Sequence, residues 1–174
     1  AHGHTVDGTF PALPAGVDTN EFSVMTYRTH VGSDPAAPAS QQFSWAQSLM
    51  MFDIAALQYM YGANFNHNSG NTTYTFSPTT GEMFVDGMGQ GAPGGNRIFR
   101  TIWDGNGVDT YDFSNYGEGS TIDLNPGGSS IFSQGQIARL NMDGSQLARG
   151  NVYNAQQFNN DARSLIENAV SGTN

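Results

Sequence analysis

Apolar positions follow different periods in different parts of the chain. Over residues 42–61, Phe43, Ala46, Met50, Ile54, Leu57 and Tyr61 recur at steps of three and four. That spacing forms one stripe of a helix, and Gly62 directly after it is a C-terminal stop. The pattern predicts one long helix over 42–61, with Met50, Met51 and Met60 filling the core. Beyond Gly62, short runs rich in Thr, Tyr, Phe, Val and Ile alternate with Gly, Asn, Asp and Pro clusters. These predict short strands over 72–76, 83–85, 97–103, 110–113 and 121–124. Residues 151–163 read as a polar loop, and 164–170 as a last short strand. Residues 1–40 read as loop, except an ordered stretch over 21–28. No repeat of fixed period fills the chain. The expected fold class is therefore α+β.

Composition narrows the function. The 174 residues suit one domain or two small joined ones, and 37% hydrophobic residues allow a core. Six Lys and Arg against 15 Asp and Glu give a net charge of −9. That balance argues against nucleic acid, whose phosphates need a basic face, and against an anionic membrane, while suiting cations. With no cysteine there are neither disulfides nor thiolate metal sites. No run approaches the roughly 18 apolar residues of a membrane span, so no span is expected. The opening Ala1-His2-Gly3-His4 reads as mid-protein sequence, with no signal-peptide pattern.

The strongest candidate chemistry is the acidic turn Asp104-Gly105-Asn106-Gly107-Val108-Asp109-Thr110-Tyr111. Calcium takes about six to eight oxygen ligands at flexible distances. Two carboxylates separated by Gly and Asn let the backbone curl and aim carbonyls inward. The run also fits one G-G-x-G-x-D-x-U-x calcium repeat, with Asp104 at the first Gly. A bare Asp/Asn/Gly turn that binds nothing fits the same residues. His2 and His4, two apart, would share one face of an extended segment and suit metal chelation. His30 and His67 read as surface residues. There is no G-x-S-x-G elbow and no phosphate loop.

In chain order, five segments resemble one family. Phe22-Ser23-Val24-Met25-Thr26-Tyr27 resembles the Met-turn of the serralysin branch of metzincin (peptidase M10) proteases. Ala1-His2-Gly3-His4 looks like the tail of the H-E-x-x-H-x-x-G-x-x-H signature. Residues 53–64 are similar to the helix after the Met-turn, residues 101–113 to the first calcium turn, and residues 165–169 to the entry of the calcium β-roll. Nearly the whole chain is covered.

The resemblance implies a fold: a Met-turn and helix of a metzincin lower subdomain over 1–62, then a calcium-binding β-roll or sandwich over 63–174. It also implies a secreted, extracellular zinc endopeptidase stabilised by calcium, acting on protein or peptide substrates and monomeric when complete. Carried over residue by residue, His2 and Tyr27 are zinc (Zn2+) ligands, and Tyr27 is also catalytic. The calcium (Ca2+) ligands fall on Asn68, Gly70 and Thr72; on Asp104, Asn106, Gly107 and Asp109; and on Leu165 and Glu167. Leu165 would act through its carbonyl, and Asp109 would bridge two ions. The H-E-x-x-H helix does not occur in these residues, so the chain by itself is expected to be inactive. Two rival readings are a stand-alone calcium-binding β module and a carbohydrate-binding module. The first is decided by whether H-E-x-x-H is encoded immediately upstream, the second by glycan binding that survives calcium removal.

Overall fold

The structure is a computed structural model, and it describes residues 13–37 and 40–172. Among the described residues one α-helix, α1 (Met51–Tyr61), precedes eight short strands. These are β1 (Thr73–Phe76), β2 (Met83–Val85), β3 (Met88–Gly89), β4 (Arg100–Ile102), β5 (Thr110–Phe113), β6 (Ser129–Ser130), β7 (Val152–Asn154) and β8 (Asn168–Ser171). They build two mixed sheets, in orders β3-β2-β1-β5-β8 and β4-β7-β6. The α+β class expected from the pattern is the class observed.

In the larger sheet β1, β5 and β8 run parallel, aligning Thr73 with Thr110 and Thr110 with Asn168. Their N-terminal ends therefore lie side by side. Alternation fixes the inner face: Tyr74, Phe76, Tyr111 and Phe113 are buried while their strand neighbours are half-buried. Phe113 and Phe132 stack at 4.1 Å between ring centroids, and Phe76 and Tyr116 close around Phe132 at 5.1 and 4.9 Å.

The smaller sheet lies between two apolar clusters. Ile98, Ile102 and Val152 join the aromatic cluster above. Phe99 and Tyr153 face the other way, into a cluster with Phe22, Met50, Met51, Ile137 and Leu140. This second core is shared by residues from before and after Gly62.

The helix is shorter than its apolar stripe predicts. Residues 42–50 are not helical: Phe43 takes a φ of +64° and lays its ring on the bare backbone of Gly94 and Gly95. The next residues serve β4 instead. Gln47 N–H donates to Phe99 O at 2.9 Å, and Ser48 Oγ accepts from Thr101 N–H at 2.8 Å. Covering an open strand edge outweighs helix propensity there. The helix starts where Asp53 accepts the Met50 N–H at 2.9 Å, and it ends at Gly62, whose N–H donates to Gln58 O at 2.8 Å. Met50 and Met51 are core residues as expected, but Met60 is 60% exposed and Leu57 and Tyr61 also face outward.

Three strand expectations also change. Residues 121–124 hold only an isolated Thr121–Ile131 bridge. The final strand begins at Asn168, after a 3-10 turn, Ala162–Ser164. The stretch read as a polar loop contains β7, buried at all three residues because it lies centrally between β4 and β6.

Candidate metal centre

Three segments meet at the aligned N-terminal ends of β1, β5 and β8: residues 68–72, 104–109 and 165–167. Asp109 is their hub and is fully buried. Its Oδ1 accepts the Thr72 N–H at 2.8 Å, its N–H donates to Glu167 Oε2 at 2.7 Å, and its carbonyl accepts the Asn168 N–H at 3.0 Å. One atom thus ties β5 to β1 and two tie it to β8. The other carboxylate oxygen, Oδ2, is buried with no hydrogen-bond partner.

Asp104 sits opposite. Its Oδ2 accepts the Tyr74 hydroxyl at 2.6 Å, and its Oδ1 accepts the Asn106 N–H at 3.1 Å. Tyr74 in turn accepts from Asn68 Nδ2 at 2.9 Å. The Thr72 hydroxyl lies 3.2 Å from both Asn68 O and Gly70 O, so these carbonyls converge on it. Gly107, at φ +141°, has no space for a side chain: a Cβ would fall 2.2 Å from Gly70 O and 2.8 Å from Asp109 Oδ1. Gly105 is similarly enclosed, 2.5 Å from His67 O by the same construction. Glycine is required at these two positions because carbonyl oxygens occupy the volume.

Among the described residues, none of Asp104, Asp109 and Glu167 has an ion-pair partner. Burial, above all, raises the Asp104 carboxyl, although its hydrogen bonds oppose this. The Asp109 carboxyl is pushed up to about 7, first by burial and then by the charges of Asp104 and Glu167 against the Thr72 hydrogen bond. Burial, above all, raises the hydroxyls of Tyr74 and Tyr111, with Asp104 adding to both and Asp109 to Tyr111. Arg163, on the adjoining turn, is paired with Asp161 at 2.6 Å. Two buried acids with an unpartnered oxygen fit a hard cation. Among the described residues no group of three His, Asp or Glu gathers closely enough to hold a metal by itself. Such a cation would therefore rely on backbone carbonyls as well.

Of the sequence-derived calcium residues, Asn68, Gly70, Thr72, Asp104, Asn106, Gly107, Asp109 and Glu167 are joined by these contacts. Leu165, half-buried, lies two residues before Glu167. Sequence reasoning missed Tyr74, which buffers Asp104, and Asn71, whose Oδ1 accepts the Val108 N–H at 3.0 Å. Alternation along β1 carried a signal for Tyr74, since it is the next residue on the face of Thr72.

His2 and His4 lie outside the described residues. Tyr27 is 52% exposed on a turn far from this cage in sequence. Asp53 anchors that turn to α1: its carboxylate accepts the Ser23 hydroxyl at 2.6 Å and the Val24 N–H at 2.8 Å. Glu21 anchors it to β7, accepting the Tyr153 hydroxyl at 2.6 Å and the Arg149 N–H at 2.7 Å. His67 is exposed as expected, while His30 is half-buried.

A parallel ladder whose N-terminal turns enclose two buried aspartates forms a β domain with one helix and its preceding turn packed on it. Residues 63–173 match the family model described as Peptidase M10 serralysin C terminal, and the chain belongs to that family. It is 33% identical over 117 residues to Metallopeptidase AprA of Pseudomonas marginalis, covering 67% of this chain and 24% of that one. It is 33% identical over 156 residues to a Serralysin C of Dickeya chrysanthemi, and 32% over 156 to its Serralysin A, covering 90% of this chain and 27% of each. The chain thus spans about a quarter of the length of the curated relatives it matches. Among the described residues no helix is long and apolar enough to cross a membrane.

Proposed function

We propose that this chain is the C-terminal part of a secreted, calcium-stabilised zinc endopeptidase, with residues 1–62 completing the protease domain and 63–174 opening the calcium domain. The observation that carries the calcium reading is the buried, unpartnered Asp109 Oδ2 beside Asp104. In this reading Asn68, Gly70, Asn106, Gly107 and Leu165 offer carbonyls, Thr72 its hydroxyl or carbonyl, and Asp104, Asp109 and Glu167 carboxylates. Asp109 faces both β1 and β8, which suits a bridging role between two ions. Calcium is abundant outside cells, so binding there stabilises the folded form by mass action.

Zinc in such a protease polarises a peptide carbonyl and activates water. This chain's share in that chemistry is His2 as a ligand and Tyr27 as ligand and hydrogen-bond donor to the developing oxyanion. The Asp53 and Glu21 anchors hold the turn that presents Tyr27. No H-E-x-x-H occurs in the 174 residues, so the chain alone supplies no general base and does not hydrolyse protein.

The test is calorimetric titration of calcium into the chelator-treated chain and its Asp109→Ala variant, with casein hydrolysis measured in parallel. Calcium binding lost in the variant, with no hydrolysis by the chain and hydrolysis by the protein extended to include H-E-x-x-H, is the expected result. Equal calcium uptake by both proteins would remove the calcium assignment, and an inert extended protein would remove the protease assignment.

A further inference from the structure

The calcium turn also carries a chemically labile bond. Asn106-Gly107 is the only Asn-Gly pair in the 174 residues, and Asn106 is exposed. The residues around it are held: Asn106 N–H is bonded to Asp104 Oδ1, and Val108 N–H to Asn71 Oδ1. Among the described residues, neither the Asn106 carboxamide nor the Gly107 N–H has a hydrogen-bond partner. The carboxamide is therefore free to rotate toward a backbone nitrogen that has no β-carbon to shield it.

We propose that Asn106 is a site of spontaneous deamidation that acts as a one-way switch on this turn. The Gly107 backbone nitrogen attacks Asn106 Cγ and forms a C–N bond. The bond from Cγ to the carboxamide nitrogen breaks, and ammonia leaves with the proton from Gly107 N. Water then opens the five-membered imide at one of its two carbonyls. Cleavage at the side-chain carbonyl leaves aspartate with a normal backbone. Cleavage at the main-chain carbonyl leaves isoaspartate, with the backbone running through the former side chain.

The two products have opposite effects here. Aspartate adds a carboxylate between Asp104 and Asp109 without altering the turn. Isoaspartate inserts a methylene immediately before Gly107, whose neighbourhood is filled by Gly70 O and Asp109 Oδ1. The turn cannot absorb that length, so the segments 68–72 and 104–109 separate. An expectation of slower reaction with calcium present rests on the proposed calcium cage, which would hold the Asn106 carbonyl and stiffen the turn.

The experiment incubates the whole chain for days at mildly alkaline pH, with calcium or with chelator, followed by peptide mapping that separates aspartate from isoaspartate. The expected result is a gain of one mass unit at Asn106, several-fold faster in chelator. The isoaspartate form should lose calcium binding. Asn106→Gln, checked for folding by circular dichroism, should abolish the gain. An unmodified Asn106 in chelator, or equal gain at several other asparagines, overturns the proposal. Equal rates at Asn106 with and without calcium leave the modification standing and count against the calcium cage.

Discussion

Chelation should invert the pH dependence of stability, and Asp109 is the reason. Its carboxyl titrates near 3.8 when unfolded and at about 7 in the calcium-free fold. Between those values the folded state holds more protons than the unfolded one, so stability falls as pH rises. The penalty is absent below the unfolded value and complete above about 7. Asp104, also raised, acts in the same direction. Among the described residues, the titratable groups acting on Asp109 are Asp104, Glu167 and Tyr111, and none carries positive charge.

Taken at full value, the rise from 3.8 to about 7 corresponds to about 4 kcal/mol. The exposed neighbours Asn106 and Val108 admit solvent screening, which halves this to about 2 kcal/mol. For a chain of this size that is a loss of roughly 4–8 °C in Tm. On the proposed calcium reading the ion reverses the trend, because its ligands must be deprotonated. At about 100 times Kd it adds about 2.7 kcal/mol. The assay is thermal unfolding followed by circular dichroism at about pH 5 and about pH 7.5, with calcium and with chelator. The calcium-free protein should melt lower at the higher pH, and the calcium-loaded protein higher. Asp109→Asn should melt above wild type in chelator at the higher pH and gain nothing from calcium. Parallel pH profiles with and without calcium, or a calcium-responsive Asp109→Asn, would refute the reasoning.

Other perturbations probe the support around the site. Gly107→Ala places a Cβ 2.2 Å from Gly70 O at a positive φ; Tm should fall and calcium titration should show a weakened or lost site. Glu21→Ala strips the buried acceptor of the Tyr153 hydroxyl and the Arg149 N–H. The expected loss is about 2–4 kcal/mol by urea denaturation, with calcium binding by the folded fraction retained. A chain cut to residues 63–172 removes Phe22, Met50 and Met51 from the core they share with Phe99, Leu140 and Tyr153. It should bind a hydrophobic dye and aggregate in light scattering even with saturating calcium.

The acidic cage was legible in the sequence because its residues are local. Asp104 and Asp109 sit on one turn, and Gly105 and Gly107 announce a backbone that side chains cannot enter. Tertiary support was less legible. The helical stripe over 42–61 is real as a period, yet its first half serves β4, through Gln47 and Ser48 hydrogen bonds to residues more than fifty positions away. Nothing within that window marks the strand edge that takes it. Strand β7 was hidden for the same reason: Val152 and Tyr153 are flanked by Asn151 and Asn154, polar residues that suggest a loop. Here both asparagines are buried, Asn151 Oδ1 accepting from Phe132 N–H at 3.0 Å and Asn154 Oδ1 from the Tyr111 hydroxyl at 2.6 Å.

Those buried asparagines bear on how the two ends of the molecule communicate. Tyr111 lies edge-on to Tyr74, which bonds Asp104, and bonds Asn154 through its hydroxyl. Asn154 follows Tyr153, which bonds Glu21, and Glu21 leads into the turn that carries Tyr27. A contiguous buried path of packed rings and hydrogen bonds therefore joins the acidic cage to that turn. Contiguity alone does not establish coupling, since energy transmitted along such a path needs an element with two arrangements. The acidic turn is the part of the path with an electrostatic reason to have two: on the proposed calcium reading, repulsion between Asp104 and Asp109 would open it and a cation would close it. Any influence of calcium on Tyr27 should therefore run through Tyr153 and Glu21, the contacts by which β7 grips the turn.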